Sequence, residues 1–102
     1  PGYKRIALHP RPGGGYTHAE ATFNSIHGKI TSGWRITDEG TTYKFTIPAN
    51  TSALLSLPTT DPYAVLEGTA RATEAEGVAY VKYEKGVAVF ELVSGKYQFW
   101  TP

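Results

Sequence analysis

Cysteine is absent from this 102-residue chain, and so is methionine. Without cysteine there is no disulfide framework and no thiolate metal site, and redox chemistry gives no reading of the compartment. No charge of one sign accumulates: ten Lys and Arg stand against nine Asp and Glu, a net charge of +1. Binding driven by phosphate neutralisation needs clustered basic residues, so no nucleic-acid partner is expected. No apolar run approaches the roughly 20 residues of a membrane-spanning helix, and Pro1-Gly2-Tyr3-Lys4-Arg5 does not read as a signal peptide, so no membrane partner is expected. The missing initiator methionine leads to the expectation of a domain excised from a longer protein.

What is present is ample for one core. Hydrophobic residues make up 40% of the chain, aromatics 13% and charges only 19%, which lies outside the regime of disordered sequences. The length suits a single domain.

Hydrophobicity alternates with period two, the mark of strands with one buried face. Ile6 and Leu8 face inward on a first strand that ends where Pro10 and Pro12 remove ladder donors. A Gly13-Gly14-Gly15 loop follows, and then a second strand with Ala19, Ala21 and Phe23 on its inner face. From Lys29 to Thr37 the apolar positions are Ile30, Trp34 and Ile36. Across the Asp38-Glu39-Gly40 turn the pattern resumes at Tyr43, Phe45 and Ile47, which predicts an antiparallel hairpin. Ser52 to Leu57 forms another strand, and the Pro58 to Pro62 stretch is a loop. Residues 63–77 read as a short strand and a loop. Val78 to Tyr83, Val87 to Val93 and Lys96 to Trp100 are β-rich, and consecutive Val87, Ala88, Val89 and Phe90 predict a central strand covered on both faces. About eight short strands joined by glycine and proline turns, with no convincing helix of ten residues, predict an all-β, antiparallel two-sheet sandwich, Greek-key or jelly-roll-like.

Motifs for catalysis are missing. Glycoside hydrolysis needs two carboxyl groups about 5–9.5 Å apart, and the best-spaced acids, Glu74 and Glu76, flank Gly77 in the least regular segment, where a solvated face is the better reading. His9, His18 and His27 recur every nine residues, without the His-x-His or His-Glu-x-x-His spacing of a metal site. The glycine run is not followed by the Gly-Lys-Ser/Thr of a phosphate loop, and no Gly-x-Ser-x-Gly elbow is present. No catalytic residue, metal ligand or cofactor is assigned. Asn50-Thr51-Ser52 matches a glycosylation triplet and reads as the end of a turn.

Four pieces in order carry a family resemblance: Gly2-Tyr3 leading into Ile6 and the Pro10 to Gly15 turn; Thr17, Ala19 and Ala21; His27-Gly28-Lys29-Ile30 with Ser32 and Trp34; and Ile47-Pro48-Ala49-Asn50-Thr51 closing at Leu57-Pro58. A weaker echo runs from Val93 to Phe99. In these the chain resembles the C-terminal β-sandwich domain of bacterial α-L-rhamnosidases, glycoside hydrolase family 78. The resemblance implies a non-catalytic domain packed on an upstream α/α-barrel of the same polypeptide. That barrel would hold the carboxylates and hydrolyse terminal α-L-rhamnosides with inversion. It implies a bacterial source and leaves open cytoplasm, periplasm or secretion through a signal outside this segment.

Two sets of residues are candidates for use. The proline-stiffened, glycine-rich loop of Pro10, Pro12, Gly13, Gly14 and Tyr16, with the His27-Gly28 turn, suits an interface to the barrel, because a stiffened loop loses little entropy on docking. Flat rings stack on sugars, and Tyr63 and Trp100 are the candidates should the domain be a carbohydrate-binding module. An adhesion or assembly sandwich, with an exposed apolar patch or an unpaired edge strand, is the third reading.

Overall fold

In the computed structural model, which describes residues 4–102, ten strands form two packed sheets. Gly2 and Tyr3 of the first motif lie outside the described residues. The strands are β1 (Lys4–Leu8), β2 (His18–Ser25), β3 (Gly28–Thr37), β4 (Gly40–Ile47), β5 (Thr51–Pro58), β6 (Leu66–Glu67), β7 (Ala70–Arg71), β8 (Val78–Glu84), β9 (Val87–Leu92) and β10 (Gly95–Thr101). One sheet has the order β1-β5-β9-β8, the other β2-β3-β4-β10-β6-β7. Every pairing is antiparallel except β1 with β5, which run parallel from Lys4↔Thr51 to Leu8↔Leu55.

The core forms where the two inner faces meet. Tyr43, Phe45 and Ile47 of β4 and Tyr97 and Phe99 of β10 face Ala53, Leu55 and Leu57 of β5 and Ala88, Phe90 and Leu92 of β9, all buried in one cluster. Phe45, Phe90 and Tyr97 each hold a ring centroid within 6.3 Å of that of Phe99, so four rings meet at the centre. The alternation read from β4 is therefore the register that builds the core. In β9, Ala88, Val89 and Phe90 are consecutive and all buried, as their uninterrupted apolar run predicts.

Residues 63–77 hold more order than a short strand and a loop. Two 3-10 turns, Pro62–Ala64 and Ala72–Glu74, bracket a miniature hairpin in which β6 and β7 extend the six-stranded sheet beyond β10. Asp61 caps the first turn, its carboxylate accepting from the Tyr63 N–H at 2.9 Å. Val65 and Ala72 point into the core and fix the excursion there.

The two sheets differ in width, and this corrects the expected burial of the inner face of β2 and of Ile36. Ala19, Ala21 and Phe23 of β2 lie on the inner side, paired in register with Trp34, Ser32 and Ile30, but no strand of the narrower sheet lies over them and they are exposed. Ile36 is exposed for the same reason, and Trp34 packs half-buried against the margin of the core.

Candidate domain-docking surface

The surface left open by the narrower sheet is a groove. Its one side is the end of β1 and the chain after it, Ala7, Leu8, His9, Pro10 and Arg11; its other side is the inner face of the β2–β3 ribbon, Ala19, Ala21, Phe23 and Trp34. Glu20 and Ser32 also line it, and it encloses about 300 Å³. Phe23 is 55% exposed within it. At one end of β2 stands Tyr16, 72% exposed, and at the other Ile26, 93% exposed on the two-residue turn between β2 and β3. Scattered exposed apolar residues are ordinary on a monomer, whereas an apolar groove that leaves Phe23 open is a candidate interaction face.

Local chemistry sets both ends. Gly13, Gly14 and Gly15 all adopt positive φ, and the Tyr16 N–H donates to the Gly13 carbonyl at 3.2 Å, which turns the loop back into β2. A further bond from the Ile36 N–H to the Thr17 carbonyl, 2.7 Å, ties the loop's end to β3. At the far end the His27 N–H donates to Ser25 Oγ at 3.1 Å, and that hydroxyl donates to the Gly28 carbonyl at 2.8 Å. Gly28 has φ +126°, and a Cβ there would stand 3.2 Å from that of Pro48, so the hairpin closes tightly only with glycine.

The residues proposed from sequence fall into place unequally. Pro10 is buried and forms part of the groove wall; Pro12 and Gly13 are half-buried, and Gly14 and Tyr16 are exposed. His27 is half-buried at the turn. The two groups thus occupy opposite ends of β2 instead of one patch, with the groove between them. Phe23 and Ile26, which join the two ends, were not among the sequence candidates. An isoleucine in a two-residue turn was the available signal for Ile26; Phe23 alternates like a core residue and gave none.

Tyr63 and Trp100 do not share a platform. Tyr63 packs edge-on against Tyr80 of β8, centroids 5.9 Å apart, whereas Trp100 lies beside Thr42 on the outer face of the six-stranded sheet. The Trp100 indole also covers Gly40, where an added Cβ would come within 2.8 Å of its Nε1. Glu74 and Glu76 are exposed. His18 and His27 sit at opposite ends of β2, so their even spacing does not bring them together. Among the described residues no three His, Asp or Glu side chains come together in a way that could hold a metal.

The fold is a two-sheet β-sandwich with an apolar groove left open along β2. The chain belongs to the bacterial alpha-L-rhamnosidase C-terminal domain family, whose model matches residues 1–72. It is 36% identical over 98 residues to an alpha-L-rhamnosidase of Streptomyces avermitilis and 30% identical over 98 residues to one of Formosa agariphila; each match covers 96% of this chain. It spans only 9% and 11% of those two proteins, about a tenth of their length. The crystal structure of the Streptomyces avermitilis alpha-L-rhamnosidase complexed with L-rhamnose superimposes with a TM-score of 0.83 at 34% identity, over 99% of this chain and 9% of that one. An alpha-L-rhamnosidase from Dictyoglumus thermophilum shares the fold, with a TM-score of 0.76 at 24% identity over 92% of this chain and 10% of that one.

Proposed function

We propose that the chain is a single non-catalytic domain, residues 1–102, that packs on and stabilises the catalytic α/α-barrel of a longer α-L-rhamnosidase through the open groove along β2. The observation that carries this reading is the uncovered inner face of the β2–β3 ribbon, flanked by exposed Tyr16 and Ile26. The occupant is the remainder of the same polypeptide, since relatives of this family extend for about nine-tenths of their length beyond the matched segment. Each large apolar side chain moved fully from water into such a contact contributes about 1.5–3 kcal/mol. The parent hydrolyses terminal α-L-rhamnosides with acid and base groups outside this chain.

The test compares the parent enzyme with and without residues 1–102, recording melting temperature and turnover of an aryl α-L-rhamnoside. A joint fall of both is expected. Loss of action on polymeric substrates alone, at unchanged stability, would make the domain a binding module instead. Two double variants locate the contact: Phe23→Ser with Ile26→Ser, and Pro12→Ser with Tyr16→Ala. Each should lower the melting temperature of the parent and leave that of the 102-residue chain nearly unchanged; equal losses in both would refute the docking surface.

A further inference from the structure

Gly33 lies in the middle of β3, and its backbone does not require glycine. The nine other described glycines all have positive φ; Gly33 does not. The pairings on both sides run through it without a register shift, Glu20↔Gly33 and Gly33↔Lys44, so it marks no bulge. A Cβ at Gly33 would stand 3.1 Å from Glu20 Cγ, a tight contact to which that side chain must give way, and 3.4 Å from the Ala19 carbonyl. Glycine inside a strand weakens it, and where neither bend nor bulge is present it marks a close approach, by the neighbouring strand or by a ligand; at Gly33 the neighbouring β2 comes near on one side and the outer face stands open.

The surroundings fit that use. Gly33 faces outward on the six-stranded sheet and floors a depression of about 360 Å³, at the small end of the about 300–1,000 Å³ typical of small-molecule sites. Glu20, Lys44 and Gln98 occupy the same cross-strand row, and Arg35 with His18 the next. Among the described residues the side chains of Glu20, Arg35, Lys44 and Gln98 make no hydrogen bond or ion pair within the chain.

We infer that this depression is a binding site for a neutral saccharide ring, held through vicinal hydroxyls. A carboxylate that only accepts, cations that only donate and an amide that does both, spread around a bare floor, match the mixed donors and acceptors of a polyol. An anion would face Glu20, and a cation Arg35 and Lys44. The depression opens on the outer face of the six-stranded sheet and adjoins the docking groove at Glu20 and Trp34; it goes beyond the docking reading and is tested without it.

The experiment is a titration of the isotopically labelled 102-residue chain with L-rhamnose and, separately, D-galactose, to saturation or the solubility limit, followed by amide shifts. Saturable shifts at Gly33, Arg35, Thr42 and Lys44 with either sugar are expected. Arg35→Ala should weaken binding about tenfold, the loss of a hydrogen bond to a charged group, and Gly33→Val, which fills the floor, should weaken it by steric exclusion. Arg35→Ala, on an exposed side chain, keeps the test open should Gly33→Val fold poorly. Should the chain give no dispersed spectrum, hydrogen exchange of the parent polypeptide over residues 28–37 and 40–47 reads the same two titrations. No shift or protection there with either sugar, or effects elsewhere that both variants leave unchanged, would overturn the inference.

Discussion

Phe99 and Tyr97 show how much rests on single side chains of β10. Phe99 is fully buried among Phe45, Phe90 and Tyr97, and Phe99→Ala removes contacts on every side. A loss of about 3–5 kcal/mol is expected, a large share of the about 5–15 kcal/mol available to a domain; urea denaturation reads it directly. Tyr97 donates its hydroxyl to the Val93 carbonyl at 2.6 Å, with the Gly77 carbonyl 3.3 Å away, and so joins the turn before β10 to the loop before β8. Tyr97→Phe keeps the ring and should cost about 1 kcal/mol, with faster amide exchange at Gly77 and Val93. Burial raises the pKa of Tyr97, reinforced by the Glu67 carboxylate. Burial raises that of Tyr43 as well, against an opposing hydrogen bond from Thr101. Folded tyrosines above their ordinary value of about 10 hold protons that the unfolded chain gives up first. Their contribution is therefore complete below pH 10 and lost as pH rises through the folded values. Denaturation midpoints of wild type and Tyr97→Phe should converge in that alkaline window.

Edges and turns govern the elements. β1 is an edge strand of the narrower sheet and pairs, among the described strands, with β5 alone, yet it contributes Leu8 to the core and a wall to the groove. Deleting residues 1–8 turns β5 into an edge, so the amides between Thr51 and Leu55 that bond β1 should lose exchange protection while β3 and β4 keep theirs. Uniform loss across both sheets would show that the sheets do not open separately. At the β3–β4 turn, Gly40 has φ +140°, and a Cβ there would run into the Thr101 carbonyl and the Trp100 indole. Gly40→Ala should destabilise by more than about 1 kcal/mol, since the strained φ and the clash act together; Gly86→Ala, at positive φ but in open space, should lose less. Thermal melts of the two variants make the comparison.

At the scale of the molecule, unequal sheet width is the governing fact. Strands β4, β10, β5 and β9 supply the buried faces, and β2 with the outer part of β3 projects beyond them. A compact sandwich would hide Phe23; here the ribbon leaves it open to a second body. Covering that ribbon should protect it, so in the intact parent the amides of β2 are expected to exchange more slowly than in the 102-residue chain, while those of β9 are unaffected by context. Hydrogen exchange on the two proteins tests this.

Alternation at Tyr43, Phe45 and Ile47, the apolar run at Val87 to Phe90 and the glycine and proline turns determined the strands and the all-β class, because side-chain period and turn chemistry are local properties. The same local rules gave the hairpin of β3 and β4, and the motifs from Ile6 to Pro58 gave the family. Tertiary structure alone decided that β1 pairs parallel with β5 and that Val65 and Ala72 anchor residues 63–77. Only there did Pro10 and Phe23 become walls of one groove and Gly33 the floor of a depression. A strand's sequence encodes which residues share a face; what lies opposite that face is fixed by strands distant in the chain. Phe23 and Phe45 alternate alike, and only the width of the opposing sheet makes one core and the other surface.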